Sequence, residues 1–377
     1  MPQKATLFRR LKKTLLGLLA VVGLLGLATV LFMQHKTFGK HPAGDRQARI
    51  LRSPHYKDGS FQNIHPTEVM RKDASTWKML TDFLNKPALA SPPRPLPSVK
   101  TDLRGLADDT PAIVWFGHSS YLVKHRGVRI LVDPVFSGSA SPVSFFGKSF
   151  PGSDAYGAPD FDAIDLLILS HDHYDHLDYQ TIRELAPKVK HFYVPLGVGA
   201  HLEHWGVPAA KITELDWWEA HTTPEGIGLR ATPARHFSGR SLSRGKTQWS
   251  SFVLQLPGYR LFLGGDSGYD DTFKKIGQQY GPFDVALLEA GQYGADWPYI
   301  HMLPEQTVQA ALDLRAEVLL PVHWAKFLLA YHAWDEPVKR VVAEARVKNV
   351  RVTTPLIGEA VVLDQVYPAT EWWAHLP

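Results

Sequence analysis

Hydrophobic positions are spaced differently in different parts of this chain, and each spacing predicts a different element. Between Thr14 and Met33 lie twenty residues without a charge, TLLGLLAVVGLLGLATVLFM. At 1.5 Å per residue they span about 30 Å, the thickness of a hydrocarbon core. Residues 41–66 are rich in Pro, Gly, His and Arg, and PHYKDGSFQN (54–63) reads as irregular chain. A helical stretch is predicted near 67–85, followed by SPPRPLP (91–97), which its prolines hold extended. From about 111 the pattern changes to short apolar runs that predict strands at 112–116, 120–124, 128–133, 164–170, 191–195, 251–256, 259–264, 284–289, 317–322 and 359–364. Helical patterns intervene near 178–187, 197–205, 304–315 and 335–346. Strands followed by alternating helices and strands, twice over, predict a mixed α/β (α+β) chain in which two packed sheets carry helices outside, an αββα sandwich. The expected segments are a basic flank (1–13), a transmembrane anchor (14–33), an extension with a Pro-rich linker (34–110) and the main body (111–377).

With 377 residues, 45% hydrophobic and 11% aromatic, the chain can bury a large core, which excludes disorder except locally. The absence of cysteine rules out disulfides, thiolate metal sites and cysteine nucleophiles together, so any metal is held by nitrogen and oxygen. The formal charge of +4 is unevenly placed. Residues 1–40 hold seven Lys/Arg and no acid, leaving 34 bases against 37 acids elsewhere. The body therefore lacks the excess of Lys/Arg that a nucleic-acid groove needs. The apolar segment is longer than a signal-peptide core and lacks a clear small-x-small cleavage site, which favours an uncleaved single-pass anchor. Five Lys/Arg precede it and Lys36, Lys40 and Arg46 follow it, a bias that predicts a body on the non-cytoplasmic side.

His171-Asp172-His173-Tyr174-Asp175-His176 packs three imidazoles and two carboxylates into six residues at a strand-to-helix turn, with Asp178 as the helix start. Neutral imidazole and carboxylate are the usual ligands of zinc and related divalent ions. Three later strand ends carry further donors: His236 in ATPARHFSGR, Asp266 in FLGGDSGY and His323 in LLPVHW. Singly, each is more often a hydrogen-bonded structural residue. In company with the first motif, they make a constellation of five His and two Asp.

These motifs resemble those of the metallo-β-lactamase-fold superfamily of metallohydrolases, over roughly residues 110–365. Within it, WFGHSSYLV (115–123), SHDHYDHLD (170–178), ELDWWE (214–219), TPARHFSGR (232–240), GGDSGY (264–269) and PVHW (321–324) are similar to the N-acylphosphatidylethanolamine-hydrolysing phospholipase D branch. The segment GQYGADWPYIHM (291–302) departs from that branch. The resemblance implies that His171, His173 and His236 hold one zinc, that Asp175, His176 and His323 hold the other, and that Asp266 bridges them. Iron or manganese is compatible with the same donors. It further implies a metal-activated water acting on a phosphodiester, most plausibly a phospholipid, at a site whose residual positive charge suits an anionic substrate. Asp175 and His301 are the expected catalytic residues. A lactonase or other carboxyl-ester hydrolase of the same fold is the alternative, and a non-catalytic membrane scaffold a third. Asp133 is either an acceptor that orients a metal-bound imidazole or a turn residue before Pro134. His118 is either a substrate contact or an ordinary loop residue. Arg235, Arg240 and Arg244 are expected in surface salt bridges rather than on a phosphate, and Trp217 and Trp218 as packing anchors rather than lipid contacts.

Overall fold

The computed structural model describes residues 2–376, so Met1 and Pro377, the outer ends of the expected flank and body, lie outside the described residues. Alternation within the apolar runs decides the layers. Leu166 and Ile168 of the strand Ile164–Ile168 join an inter-sheet cluster with Tyr121, Ile130, Leu261, Leu287 and Leu320. Leu167 and Leu169 point the other way, onto Ile182, Leu185 and Leu202 of the covering helices. Both faces of the sheet are thus covered, which is why the sequence reads as an almost unbroken apolar run. Asp165 interrupts that run because its carboxylate accepts the backbone N–H of Arg129 at 2.8 Å and pairs with Lys190 at 2.5 Å.

The two seven-stranded sheets follow one plan. The first runs Ala360–Val362, Ala112–Trp115, Tyr121–His125, Val128–Val132, Ile164–Ile168, Val189–Pro195, Ile212–Leu215. The second runs Ala220–Thr222, Gly228–Thr232, Ser251–Leu256, Tyr259–Leu263, Phe283–Glu289, Ala316–Val322, Arg351–Val352. In each, three antiparallel pairings are followed by three parallel ones. Tyr179–Leu185 and Gly199–His204 cover the outer face of the first sheet. Thr272–Tyr280, Pro304–Asp313 and Glu336–Lys348 cover that of the second. The expected αββα sandwich is therefore present.

Local expectations needed correction where period and composition were weak. The strands Ile212–Leu215, Ala220–Thr222 and Arg351–Val352 went unanticipated because they are short, half-polar edge strands, and Gly228–Thr232 was expected only as the strand end before His236. The helix Thr272–Tyr280 was hidden by Gly277, where a Cβ would lie 2.0 Å from Asp313 O, so the glycine permits close helix packing. Residues 41–66 are not wholly irregular: they contain the helix Gly44–Ile50 and a hairpin pairing Tyr56–Lys57 with Ser60–Phe61. Its turn, Asp58-Gly59, takes positive φ at both positions (51° and 76°), the Asp-Gly signature of a tight hairpin. The helix expected over 67–85 is confined to Thr76–Leu84, with Ser75 capping the backbone N–H of Lys78 at 3.2 Å.

The helix Pro2–Met33 carries one apolar stretch, Leu11–Met33, that is long enough to cross a membrane and lies wholly outside the packed body. The extension after it is stitched to the body through Asn63. The Asn63 amide donates to His236 O at 2.8 Å, and its carbonyl accepts from His236 N at 3.0 Å and from the Trp249 indole at 3.2 Å. Asn63→Ala should lower stability by about 1–3 kcal/mol, because it strands the His236 backbone groups. The check is urea denaturation, where the midpoint should fall with an unchanged slope.

Candidate metal centre

Every donor singled out in the sequence sits at or just beyond the carboxyl end of a strand, all at one end of the sandwich. His171 to His176 follow Ile164–Ile168, and His236 follows Gly228–Thr232. Asp266 follows Tyr259–Leu263, and His323 follows Ala316–Val322. The two glycines before Asp266 are required by crowding. A Cβ on Gly264 would lie 2.8 Å from Leu287 O, and one on Gly265 would lie 2.8 Å from Ser170 Cβ.

The structure brings the seven residues into two groups joined by one carboxylate. His171 Nε2 lies 2.9 Å from His173 Nδ1, which lies 3.2 Å from His236 Nε2. In the second group, His176 Nε2 is 3.5 Å from Asp175 Oδ2. Asp266 stands between them. Its Oδ2 faces His171 and His236 at 3.9 and 3.7 Å, and its Oδ1 faces His176 and His323 at 3.1 Å each.

This donor set fits divalent ions. Three imidazole nitrogens converge in the first group, and in the second the buried atoms His176 Nε2, Asp266 Oδ1 and His323 Nε2 have no hydrogen-bond partner. A buried polar atom left unpaired costs about 1–3 kcal/mol, a penalty that coordination removes. Burial, aided by the neighbouring imidazoles, holds His171 well below its ordinary pKa, and burial does the same to His236 and His323. Asp175 and Asp266 are held well below the usual carboxylate range: burial opposes this, and the adjacent His176 leads the groups that override it. Neutral imidazole and ionised carboxylate are the protonation states a metal takes; His176 departs from this in the free chain, where burial opposes its charge but Asp266, Asp175 and Asp133 hold it well above its ordinary value.

The residues behind the donors fix their orientation. Asp133 accepts from His176 Nδ1 at 2.8 Å, from the Ser170 hydroxyl at 2.6 Å and from the Ser170 backbone at 2.7 Å, so of its two readings the orienting acceptor is the one the geometry supports. His236 Nδ1 donates to Ile300 O at 2.8 Å. Asp172 points away from the cluster. It accepts from Gly239 N at 2.7 Å and Thr247 Oγ1 at 2.8 Å, which pins the motif's own turn. His118, Asp133 and His323 all take left-handed φ (50°, 41° and 67°), costing about 1–3 kcal/mol each. Two backbone bonds of 2.9 Å, His323 N to His118 O and His118 N to Trp324 O, hold that strain in place.

His118 is the loop residue of its two readings, in the turn between Ala112–Trp115 and Tyr121–His125, but it is fully buried there and its Nε2 meets Asp175 Oδ2 at 2.9 Å. The expectation for Arg240 is corrected. Arg240 makes no surface salt bridge. It is buried, its guanidinium donates to Thr37 O, Asp172 O and Leu177 O at 2.6–3.2 Å, and it lies over the Tyr174 ring. Arg235 is tied to Thr67 Oγ1 at 3.0 Å, and Arg244 lies over the Phe237 ring at the cavity wall. Trp217 is buried and donates to Trp249 O at 2.6 Å, while Trp218 packs on Tyr280, so both are packing anchors.

The cluster floors a cavity of about 340 Å³. His173, Asp175, His236, Asp266, His301 and His323 are among its polar lining, and Val69, Met70, Phe237, Trp297, Ile300 and Leu329 among its apolar wall. Val69 and Met70 come from the extension, which therefore forms part of the site. His301 Nδ1 lies 2.6 Å from Glu289 Oε2, and the other Glu289 oxygen accepts from Met302 N at 2.9 Å. Burial opposes charge on His301, but Glu289 beside it overrides this and holds the imidazole above its ordinary value. Sequence reasoning missed Glu289, Ser170, Asn63 and Ser119, whose hydroxyl lies 2.9 Å from His323 Nδ1. Only Glu289 carried a usable signal, since it closes an apolar strand as Asp133 does.

A family model described as "Beta-lactamase superfamily domain" matches residues 128–324. A protein of Mycobacterium tuberculosis described as uncharacterized is 40% identical over 327 residues, covering 85% of this chain and 87% of that protein. The N-acyl-phosphatidylethanolamine-hydrolyzing phospholipase D 1 of Caenorhabditis elegans is 33% identical over 226 residues, which are 56% of this chain and 63% of that protein. Among solved structures, a metallo hydrolase from Ignicoccus hospitalis has a TM-score of 0.53 at 22% identity, covering 68% of this chain and 100% of that chain. Asp266→Ala should lower bound metal at both groups, because its two oxygens face one group each. Elemental analysis of the purified variant checks this, and full metal content would contradict it.

Proposed function

The chain belongs to the β-lactamase superfamily and is a metal-dependent hydrolase, and from that premise we propose that it is a membrane-anchored, dinuclear zinc phosphodiesterase cleaving a phospholipid in the phospholipase D manner. The observation that carries the proposal is Asp266, with one oxygen toward each histidine group at the floor of the cavity. In this reading His171, His173 and His236 hold one zinc, and Asp175, His176 and His323 the other, with Asp266 shared between them. Ions held there would supply Lewis acidity and a water activated at neutral pH.

The remaining chemistry falls to the chain's own groups. His301, oriented by Glu289, faces the same cavity and donates a hydrogen bond or proton to the phosphoryl group or its departing alcohol. Asp175 would help hold the second ion, and its contact with His118 Nε2 at 2.9 Å fixes the carboxylate in place. The apolar wall from Val69 to Leu329 suits acyl chains, and Arg244 beside it suits an anionic headgroup. Support for a lipid substrate comes also from the relative named as an N-acyl-phosphatidylethanolamine-hydrolyzing phospholipase D. The anchor would hold the enzyme at the surface where such a substrate is concentrated.

Incubation with mixed phospholipids in ¹⁸O-water tests the reaction. Phosphatidic acid carrying the label on phosphorus is expected, and label found only in a carboxylate would replace the phosphodiesterase with a lipase or lactonase. His301→Ala should cut turnover by roughly 10²–10⁴-fold with metal content retained, and Glu289→Gln should act in the same direction through the lost orientation. Kinetics unchanged in both would return His301 to a structural role. A reporter that is active only in the cytoplasm, fused after Pro377, should be silent if the charge bias sets the topology. Its activity would reverse the orientation.

A further inference from the structure

The anchor joins the body with almost no slack. Three residues separate Met33 from Thr37, so the apolar helix ends within roughly 10 Å of a buried residue. Thr37 O is gripped by Arg240 at 2.8 Å, and the Trp205 indole donates to Lys36 O at 2.7 Å. Phe38 packs on Tyr174, which belongs to the donor motif and lines the catalytic cavity. If the helix spans a bilayer, the membrane surface must lie against this side of the body.

Two loops on the same side expose large apolar residues. In the loop between Pro134 and Phe150, Phe145 is 78% exposed, and Phe146 beside it is half exposed. Ser139, Ser141, Pro142 and Ser144 of that loop line a common cleft with His35 and Thr37, so the loop lies beside the end of the anchor. Ala140 of the same loop lines the catalytic cavity. In the second loop Leu242 is 91% exposed, two residues from Arg240, which grips Thr37. The exposed cations Lys36, Lys148 and Arg244 lie on these same segments, and Arg183 of the helix Tyr179–Leu185 lines the shared cleft.

We propose that the loops bearing Phe145 and Leu242 form a second membrane contact, inserting into the lipid interface beside the anchor and setting the mouth of the catalytic cavity against the bilayer. Aromatic and leucine side chains tipping into the acyl boundary, with cations at headgroup level, form the pattern of an interfacial surface. The occupant is a lipid surface because the apolar helix Leu11–Met33 leaves the body beside this face. The inference rests on the anchor, but not on the reaction assigned above.

The chain has no cysteine, so single probes can be placed cleanly. Full-length Phe145→Cys and Leu242→Cys carry an environment-sensitive fluorophore, and Val347→Cys is the reference. Val347 is 78% exposed near the end of Glu336–Lys348, which leads into the strand Arg351–Val352 at the opposite end of the sheet from the donors. The proteins are reconstituted into phosphatidylcholine–phosphatidylglycerol vesicles with and without nitroxide-bearing lipid. Blue-shifted emission and nitroxide quenching at 145 and 242, but not at 347, are expected. Co-flotation reads the anchor separately. Protein that floats while its 145 and 242 labels behave as the 347 label overturns the contact and leaves the anchor standing. Labels shielded from water yet insensitive to nitroxide lipid would assign the face to a protein partner and also overturn it.

Discussion

Five imidazoles and two carboxylates buried within a few ångströms of one another form the constraint on which the rest of this molecule depends. Each buried donor taken from water without a partner costs free energy, and mutually facing imidazoles cannot all satisfy one another. Divalent ions remove that penalty, but only if the donors are already aimed. The scaffold aims them from behind. Asp133 and Ser170 hold His176, Ile300 O holds His236, and Asn63 holds the backbone that carries His236. The left-handed residues His118 and His323 store strain that the paired backbone bonds of their two loops absorb. The two sheets contribute because parallel strands deliver their carboxyl ends to one rim.

Much of this was legible in the sequence, for physical reasons. The apolar runs at Ile164–Ile168, Phe283–Glu289 and Ala316–Val322 are buried on both faces, so their strand character survives without context. His171 and His323 follow the first and last of these runs, and Glu289, which orients His301, closes the second. What stayed hidden depends on distant parts of the chain. Asn63 is 173 positions from the histidine it clamps, and nothing near it distinguishes it from a loop asparagine. Arg240 reads as a surface charge until the fold wraps carbonyl oxygens around it. The hairpin at Asp58-Gly59 did carry its turn signature, but two-residue strands have no period to support it.

The extension and the segment just after the apolar helix are parts of the candidate metal centre. Residues 63–70 clamp a histidine-bearing loop and supply Val69 and Met70 to the cavity wall, while residues 36–38 bind Arg240, which in turn binds the turn of the donor motif. Loss of the segment after the helix would therefore disturb the donors themselves. The end of the apolar helix and the geometry of the centre are connected through one guanidinium group.

The most direct measurement is X-ray anomalous scattering from crystals of the purified full-length protein, collected on both sides of the zinc edge. Two zinc peaks per chain are expected, about 3.5–4 Å apart, the separation of two-metal hydrolytic sites, with Asp266 between them, His171, His173 and His236 around one, and Asp175, His176 and His323 around the other. A single peak, or two peaks that do not share Asp266, would contradict the dinuclear centre.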